Sequence, residues 1–404
     1  MAGVTSTHLV PVDCKQLQLG MYVAELDRPW LQTPFHAHGF LLSHDGQIDA
    51  LRRVCSYVYI DPVLSEFSEN ELFSSGLTGR VKALAPDMHR SVLNQSRHAL
   101  REASHILDVT VREARRSEQL SLSEPRQALN AVVNSVLSDA DALPWLIATE
   151  LQVGFLYRRA LGSAVLMTIA GHRIGFERAL LDELALAGLL LDIGKISVPI
   201  TILAKPARLT APERGFITRH VRRGLYMVRA AEAISDTLEE AILGHHERLD
   251  GSGYPRRLRG THLPLPARLA GIVDTYDALL QQRSYSPALA AHDAIRLVNS
   301  MRNTHFDAAM VKSFIQALGV YPTGSWVQLA DGRLGIVRSQ TVDEPARPRI
   351  ALVCNSAGGA LETDTVLWKP VRRGDIARAV LPGQMQISQR ILEAAVSAAA
   401  DLAA

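Results

Sequence analysis

Apolar positions change their period three times along the chain. From His8 to about Pro62 they come in short bursts, Leu19-Gly-Met-Tyr-Val, Gly39-Phe-Leu-Leu and Tyr57-Val-Tyr-Ile, separated by turn formers such as Asp45-Gly46. Bursts of this kind predict strands, so residues 1–64 read as a small β-rich N-terminal domain. Residues 65–122 read as a linker and an amphipathic helix. Ser65, Ser68, Ser74, Ser75, Gly76 and Gly79 mark the linker, and Leu93, Leu100, Ala103, Leu107 and Val111 recur near helical spacing within Ser91–Gln119. Helical periodicity then continues over residues 123–319, broken at Pro144, Gly175, Pro199, Pro206, Pro212 and the Gly/Pro cluster 251–266, and predicts one all-α domain. In residues 320–404, Trp326-Val-Gln-Leu, Leu334-Gly-Ile-Val-Arg and Ile350-Ala-Leu-Val alternate around Asp331-Gly332. That pattern predicts a three- or four-stranded sheet, and the Ala-rich tail from Ser388 predicts a helix. The fold class is multidomain α+β, a central helical domain flanked by two small β modules.

Composition narrows the function. Of 404 residues, 47% are hydrophobic, enough for ordinary cores. The 43 basic and 41 acidic side chains leave a net charge of +2, so no bulk field recruits DNA or an anionic membrane. The apolar runs Leu161–Ala170 and Leu184–Leu191 fall short of the ~20 residues that span a bilayer, and no signal segment opens the chain. A cytoplasmic protein without membrane insertion is expected. Cys14, Cys55 and Cys354 lack metal-knuckle spacing and read as reduced core thiols.

Chemistry enters where polar residues interrupt apolar helix. Asp192 follows Leu189-Leu-Leu, His245 and His246 follow Ala241-Ile-Leu-Gly, Asp274 follows Ala270-Gly-Ile-Val, and His220 stands between them. Burying an unpaired carboxylate costs several kcal/mol, so inward carboxylates and imidazoles pair with one another or with a cation. Imidazole nitrogen and carboxylate oxygen suit Fe, Mn, Zn or Ni, and a divalent ion acidifies its bound water enough for phosphoester hydrolysis.

Two stretches carry a specific resemblance. Leu190-Leu-Asp-Ile-Gly-Lys-Ile-Ser-Val-Pro199 resembles the His-Asp segment of the HD superfamily, and His245-His-Glu-Arg-Leu-Asp-Gly-Ser-Gly-Tyr-Pro255 resembles the signature of its HD-GYP branch. Similarity runs from about residue 150 to 319, and the N-terminal segment resembles a domain of unknown function often found ahead of HD-GYP modules. The resemblance implies an all-α, metal-dependent phosphodiesterase fold for cyclic di-GMP with two or three clustered ions. It places Asp192, His220, His245, His246 and Asp274 as metal ligands, Asp192 and Lys195 as catalytic residues, and Arg283, Gly251, Gly253, Tyr254 and Pro255 around the substrate.

The carry-over is incomplete. Leu191 stands where the pair needs its histidine, Arg159 falls on the upstream histidine, and the acidic ligand one turn earlier falls near Phe155. Ligands for one ion are intact, Asp192, His220, His245 and His246, whereas the neighbouring ion keeps only Asp274. A cation at Arg159 repels a divalent ion by about 4 kcal/mol per unit of the ion's charge at about 4 Å, for an effective dielectric of about 20, and it can neutralise Asp274 instead. Ser286, Gln282 and Ser284 depart from the family's substrate-gripping pattern around Arg283.

The expectation is therefore a divergent HD-GYP protein of bacterial cyclic di-GMP signalling. It holds one divalent ion and cyclic di-GMP or a related dinucleotide, with hydrolysis lowered by about two to four decades or lost. One alternative is an active phosphodiesterase; another is a non-catalytic scaffold that docks diguanylate cyclase domains through the Gly-Tyr-Pro loop.

Overall fold

The computed structural model describes residues 10–26, 33, 35, 40–55, 57–60, 65, 85–117, 119–149, 155–203, 205, 207–281, 288–341, 344–354, 369–370 and 374–381. Two compact units divide between Val92 and Leu93. In the first, β1 (Val10–Asp13), β2 (Tyr22–Leu26), β3 (Phe40–Leu41) and β4 (Tyr57–Ile60) form an antiparallel sheet in the order β1-β4-β2-β3. Its buried face gathers Val12, Val23, Val58 and Ile60 with Ile48 and Leu51 of helix α1 (Asp45–Val54). Asp45-Gly46, expected as a turn, opens that helix instead. Gln47 Oε1 accepts the N–H groups of Ser43 at 2.8 Å and His44 at 3.3 Å, and Asp45 lies at the positive end of the helix dipole. Cys14 and Cys55 are buried in this core. Most of the expected linker, the side chain of Cys354 and the tail from Ser388 lie outside the described residues.

The second unit is helical. Its elements are α2 (Ala85–Ser117), α3 (Ser123–Ser138), α4 (Ala142–Thr149), α5 (Phe155–Ile174), α6 (Arg178–Leu190), α7 (Ile200–Leu203), α8 (Ala211–Thr218), α9 (His220–Ala231), α10 (Asp236–Gly244), α11 (Leu265–Leu279), α12 (Ala291–Ser300) and α13 (Ala308–Leu318). On α2, Leu93, Leu100, Ala103, Leu107, Val111 and Ala114 make the buried stripe that its spacing predicts. Helices α5 and α6 pack as a hairpin, with α3, α10, α11 and α13 against them. Leu184, Leu186, Leu189 and Leu190 of α6 are buried, each contributing about 1.5–3 kcal/mol. A helix so apolar ends in the core, and that is why Asp192, two residues past its end, begins inside the protein.

The chain closes on an antiparallel sheet in the order β8-β7-β6-β5-β9, made of β5 (Trp326–Leu329), β6 (Leu334–Ser339), β7 (Arg349–Cys354), β8 (Lys369–Pro370) and β9 (Ile376–Val380). The β5–β6 hairpin turns at Asp331-Gly332, where Gly332 takes a φ of 89°. Five strands form where three or four were expected, because β8 is two residues long and β9 buries only Val380 fully, so neither shows a period-two signal. Asp141 fastens the sheet to the α3–α4 turn by accepting the Thr323 hydroxyl at 2.5 Å and the Gln340 N–H at 2.9 Å. Among the described residues no helix is long and apolar enough to cross a membrane.

A single close approach sets the geometry of the core. After α6 the chain makes a 3-10 turn, Ile193–Ser197, and Gly194 lies directly against α9. A β-carbon there would overlap the His220 carbonyl and crowd the Gly224 N–H. We expect Gly194→Ala to cost about 1–3 kcal/mol of overpacking. Thermal unfolding checks this, and an unchanged midpoint refutes the close approach.

Candidate metal centre

Three segment ends converge below that contact. Asp192 leaves α6, and its carbonyl accepts the Lys195 N–H at 2.9 Å as the 3-10 turn begins. His220 opens α9 directly after α8, itself started by a Thr210–Glu213 capping box. His245 and His246 follow the last turn of α10, whose N-cap is Ser235. One ligand atom from each of Asp192, His220, His245 and His246 lies within 4.8 Å of the others. Sequence reasoning chose these four, and the fold brings all four together.

The hydrogen bonds decide which nitrogens face inward. His220 Nδ1 lies 2.7 Å from the Ile217 carbonyl and His245 Nδ1 2.7 Å from the Ile242 carbonyl. A carbonyl only accepts, so both Nδ1 atoms carry the proton and both Nε2 atoms present lone pairs when the rings are neutral. Those two Nε2 atoms are 3.3 Å apart, and the His220 one is 3.2 Å from Asp192 Oδ1. Oδ1 is buried and has no aligned hydrogen-bond donor.

Burial keeps His245 and His246 neutral. Burial, opposed mainly by Asp274, pushes His245 down to about 4, and burial beside His245 and His220 holds His246 well below the ordinary histidine range. Burial works against ionisation of Asp192, but Lys195 and Arg159 hold it well below the usual carboxylate value. Lys195 Nζ sits 2.6 Å from Asp192 Oδ2, leaving Oδ1 toward the histidines. Three acceptors facing one another without a donor repel unless a cation sits among them, so this donor set fits a divalent metal such as Fe, Mn, Zn or Ni.

Asp274, counted from sequence among the ligands, is placed differently. Arg159 Nη2 donates to its Oδ1, and its Oδ2 lies 3.4 Å from His246 Nδ1, so it stands behind the four-residue cluster rather than in it. The reason is charge: Arg159 also lies 3.2 Å from Asp192 Oδ2 and 3.6 Å from Asp277 Oδ2. Burial, opposed by Arg159 and reinforced by Asp274 and Asp192, pushes Asp277 up to about 7. Leu191 is buried and lines, with Arg159, Asp192 and Asp274, a cavity of about 20 Å³.

Residues 141–310 match the HD domain, and residues 9–142 match a domain of unknown function, DUF3391. Over 343 residues, 83% of each chain, the sequence is 33% identical to the cyclic di-GMP phosphodiesterase PA4108 of Pseudomonas aeruginosa. The chain belongs to the HD-GYP branch of the HD domain family. A 3'3'-cGAMP-specific phosphodiesterase 2 of Vibrio cholerae is 32% identical over 146 residues, 36% of this chain and 28% of that one. A solved HD-GYP-type structure, Bd1817 of Bdellovibrio bacteriovorus, aligns with a TM-score of 0.41 at 15% identity, covering 76% of this chain and 98% of its own.

The HD-GYP loop is built around an anion of its own. Glu247 is buried, and its carboxylate accepts the N–H groups of Arg256 at 2.5 Å, Arg257 at 3.0 Å and Leu258 at 3.1 Å. The N–H of Gly251 goes to the Arg248 carbonyl, and that of Tyr254 to the His246 carbonyl. The sequence places Gly251, Gly253, Tyr254 and Pro255 around a bound substrate. The structure spends the Gly251 and Tyr254 N–H groups within the loop itself, and Glu247 takes those of Arg256, Arg257 and Leu258 just past it. Gly253 is required because a β-carbon would overlap the backbone at Glu247 and His246. The Tyr254 ring packs 4.6 Å from the His246 ring, which puts a flat face beside the cluster. Exposed Arg256, Arg257 and Arg259 keep positive charge at this rim, whereas Arg268 is tied to Asp307 at 3.0 Å. Arg283 lies outside the described residues.

Glu247 and Arg248 escaped the sequence reading. Arg248 donates to the carbonyls of His245 at 3.1 Å and Glu247 at 2.7 Å, and so clamps the turn that presents the histidine pair. Their adjacency to that pair was the available signal. We expect Glu247→Ala to destabilise the fold by about 3 kcal/mol or more, since several loop N–H groups lose their acceptor. Chemical denaturation measures this; amide exchange in 256–258 as slow as in wild type contradicts the assignment.

Proposed function

We propose that this chain is a cyclic di-GMP-binding HD-GYP protein that holds one divalent ion at Asp192, His220, His245 and His246 and hydrolyses its ligand weakly or not at all. The observation that carries the reading is Arg159, fixed among Asp192, Asp274 and Asp277 beside the hydrocarbon of Leu191. A guanidinium occupies the place next to the four-residue cluster, and Leu191 offers no donor there. Relatives named as cyclic di-GMP phosphodiesterases support the ligand class.

When bound, the ion supplies Lewis-acid polarisation of a phosphodiester oxygen and acidification of a water. The protein's own groups do the rest. Lys195 keeps Asp192 ionised and turned toward the histidines. The two Nδ1–carbonyl bonds fix the ring tautomers of His220 and His245. Tyr254 offers a stacking face, the rim arginines raise the local concentration of an anionic ligand, and Arg283 is proposed to grip its phosphodiester. In-line displacement at phosphorus gains most from two cations that share the attacking and leaving oxygens. Here the second positive charge is a guanidinium already committed to three carboxylates, so the transition state loses that support. The output of such a protein is ligand-dependent signalling, with the Gly-Tyr-Pro loop as the face proposed for docking a diguanylate cyclase.

The identity to PA4108, over 83% of each chain, favours as a second reading an active phosphodiesterase. Metal analysis together with hydrolysis assays on cyclic di-GMP and 3'3'-cGAMP separates the two. One ion per chain with turnover at least about a hundredfold below a two-metal enzyme is expected; two ions with full turnover overturn the proposal. His246→Ala should release the ion while Leu191→Ala retains it, and metal loss in Leu191→Ala would refute the ligand assignment.

A further inference from the structure

Charge is unevenly spread over the helical unit. Residues 205–231 hold seven Lys or Arg and one acid, Glu213, in a chain whose net charge is +2. Lys205 takes that acid at 2.7 Å, and Arg229 pairs with Glu239 of α10. Arg214, Arg219 and Arg222 are exposed, and among the described residues none of the three has a carboxylate within ion-pair reach. Helix α9 follows α8 after a single residue, Arg219, whose backbone stays in the right-handed helical region. Positions 216, 219, 222, 223 and 226 recur at three- and four-residue steps, so they share one face across the junction. That face is the solvent side: α9 buries His220, Val221, Leu225 and Val228, while Phe216 and Tyr226 are 38% and 65% exposed. The Arg219 guanidinium lies 5.8 Å from the centre of the Phe216 ring, and that of Arg223 lies 5.5 Å from the centre of the Tyr226 ring. Two solvent-facing rings, each beside a guanidinium, are thus separated by about 15 Å of helical rise, with Arg222 between them in sequence.

We propose that this face of α8 and α9 is a docking surface for single-stranded RNA, whose phosphates pair with Arg214, Arg219 and Arg222 and whose unpaired bases stack on the Phe216–Arg219 and Arg223–Tyr226 pairs. Charge complementarity selects a polyanion, and the rings select among polyanions. An acidic polypeptide would pair with the arginines but has no use for the rings. An anionic bilayer is held by apolar side chains that insert, and here the apolar side of α9 is packed inside the protein. A duplex keeps its base faces stacked within itself, whereas a single strand offers them to aromatic rings and guanidinium planes. RNA is the polynucleotide that cells hold in single-stranded form in quantity. The His220 side chain is fully buried on the other side of α9, so occupancy of this face leaves the four-residue cluster in place, and the inference does not depend on the one-ion reading.

The test uses the full-length chain and a fluorescein-labelled oligouridine RNA of about twenty nucleotides, read by fluorescence anisotropy between about 50 and about 200 mM KCl. Binding should weaken with salt along a log–log slope of about −2, the value for three phosphate contacts on a single strand. Tyr226→Ala should weaken binding about tenfold and leave that slope unchanged, whereas Tyr226→Phe, which keeps the ring, should bind as wild type. Arg214→Gln combined with Arg222→Gln should cost at least about tenfold and flatten the slope by more than half. All three side chains are exposed, so the thermal midpoint should stay at the wild-type value. Absence of binding at about 50 mM KCl overturns the proposal. So does a Tyr226→Ala chain that binds as tightly as wild type, or tighter binding of duplex RNA or of single-stranded DNA of the same length. Vesicles rich in phosphatidylglycerol form the last arm: if these substitutions release the chain from vesicles and leave RNA binding intact, the face belongs to a membrane and the RNA assignment fails.

Discussion

The helical unit turns on one constraint: Asp192 Oδ1 and the Nε2 atoms of His220 and His245 meet in a buried space with no proton to share. Backbone carbonyls accept hydrogen bonds from the Nδ1–H groups of both rings, and burial pushes His245 down to about 4, so that ring stays neutral. Such a meeting of lone pairs is unfavourable unless a cation resolves it. Much of the surrounding structure serves to hold it in place. The apolar length of α6 carries Asp192 into the interior, Gly194 lets its turn touch α9, and the Glu247–Arg248 pair fixes the turn after α10.

Positive charge is distributed over this pocket by three different means, and the difference governs its chemistry. Lys195 is a flexible ammonium that neutralises the outer oxygen of Asp192. Arg159 is a rigid fork committed to Asp192, Asp274 and Asp277 at once, with little freedom to follow a moving charge. Among the described residues, the four-residue cluster is the group whose ligand atoms could hold an ion. On the one-ion reading proposed above, a phosphodiester meets one adjustable cation rather than two, which suffices for recognition and falls short of what in-line displacement uses best.

The sequence made much of this legible, and its silences have physical causes. Helical period and proline breaks outline the central unit, and the His-His-Glu-Arg-Leu-Asp-Gly-Ser-Gly-Tyr-Pro stretch, with Asp192 and Lys195, names the cluster. Leu191 and Arg159 declare the missing ligands, because a hydrocarbon and a guanidinium cannot coordinate a metal. The pairing of Asp274 with Arg159 was legible only as an alternative to metal ligation, since the two lie 115 positions apart and the choice between ion and arginine is made by side-chain packing. Asp45-Gly46 misled because local propensity favours a turn there, whereas Ile48 and Leu51 draw the segment onto the sheet as a helix. Strand β8 was silent because two residues carry no period, and β9 because it buries only Val380 fully.

The Gly-Tyr-Pro loop shows why a motif's residues need not share the motif's function. Its glycines are steric: Gly253 passes over the backbone of Glu247, and Gly251 takes a φ of 76° against the Arg259 side chain. The N–H groups of Gly251, Ser252 and Tyr254 are spent inside the loop and those of Arg256, Arg257 and Leu258 on the Glu247 carboxylate, so an incoming anion relies mainly on side chains there. Of the loop, only the Tyr254 ring and the exposed arginines remain to face a partner or a nucleotide. A loop shaped by an internal carboxylate keeps its form without metal and without ligand. On the reading proposed above, the same surface serves recognition independently of the chemistry beneath it.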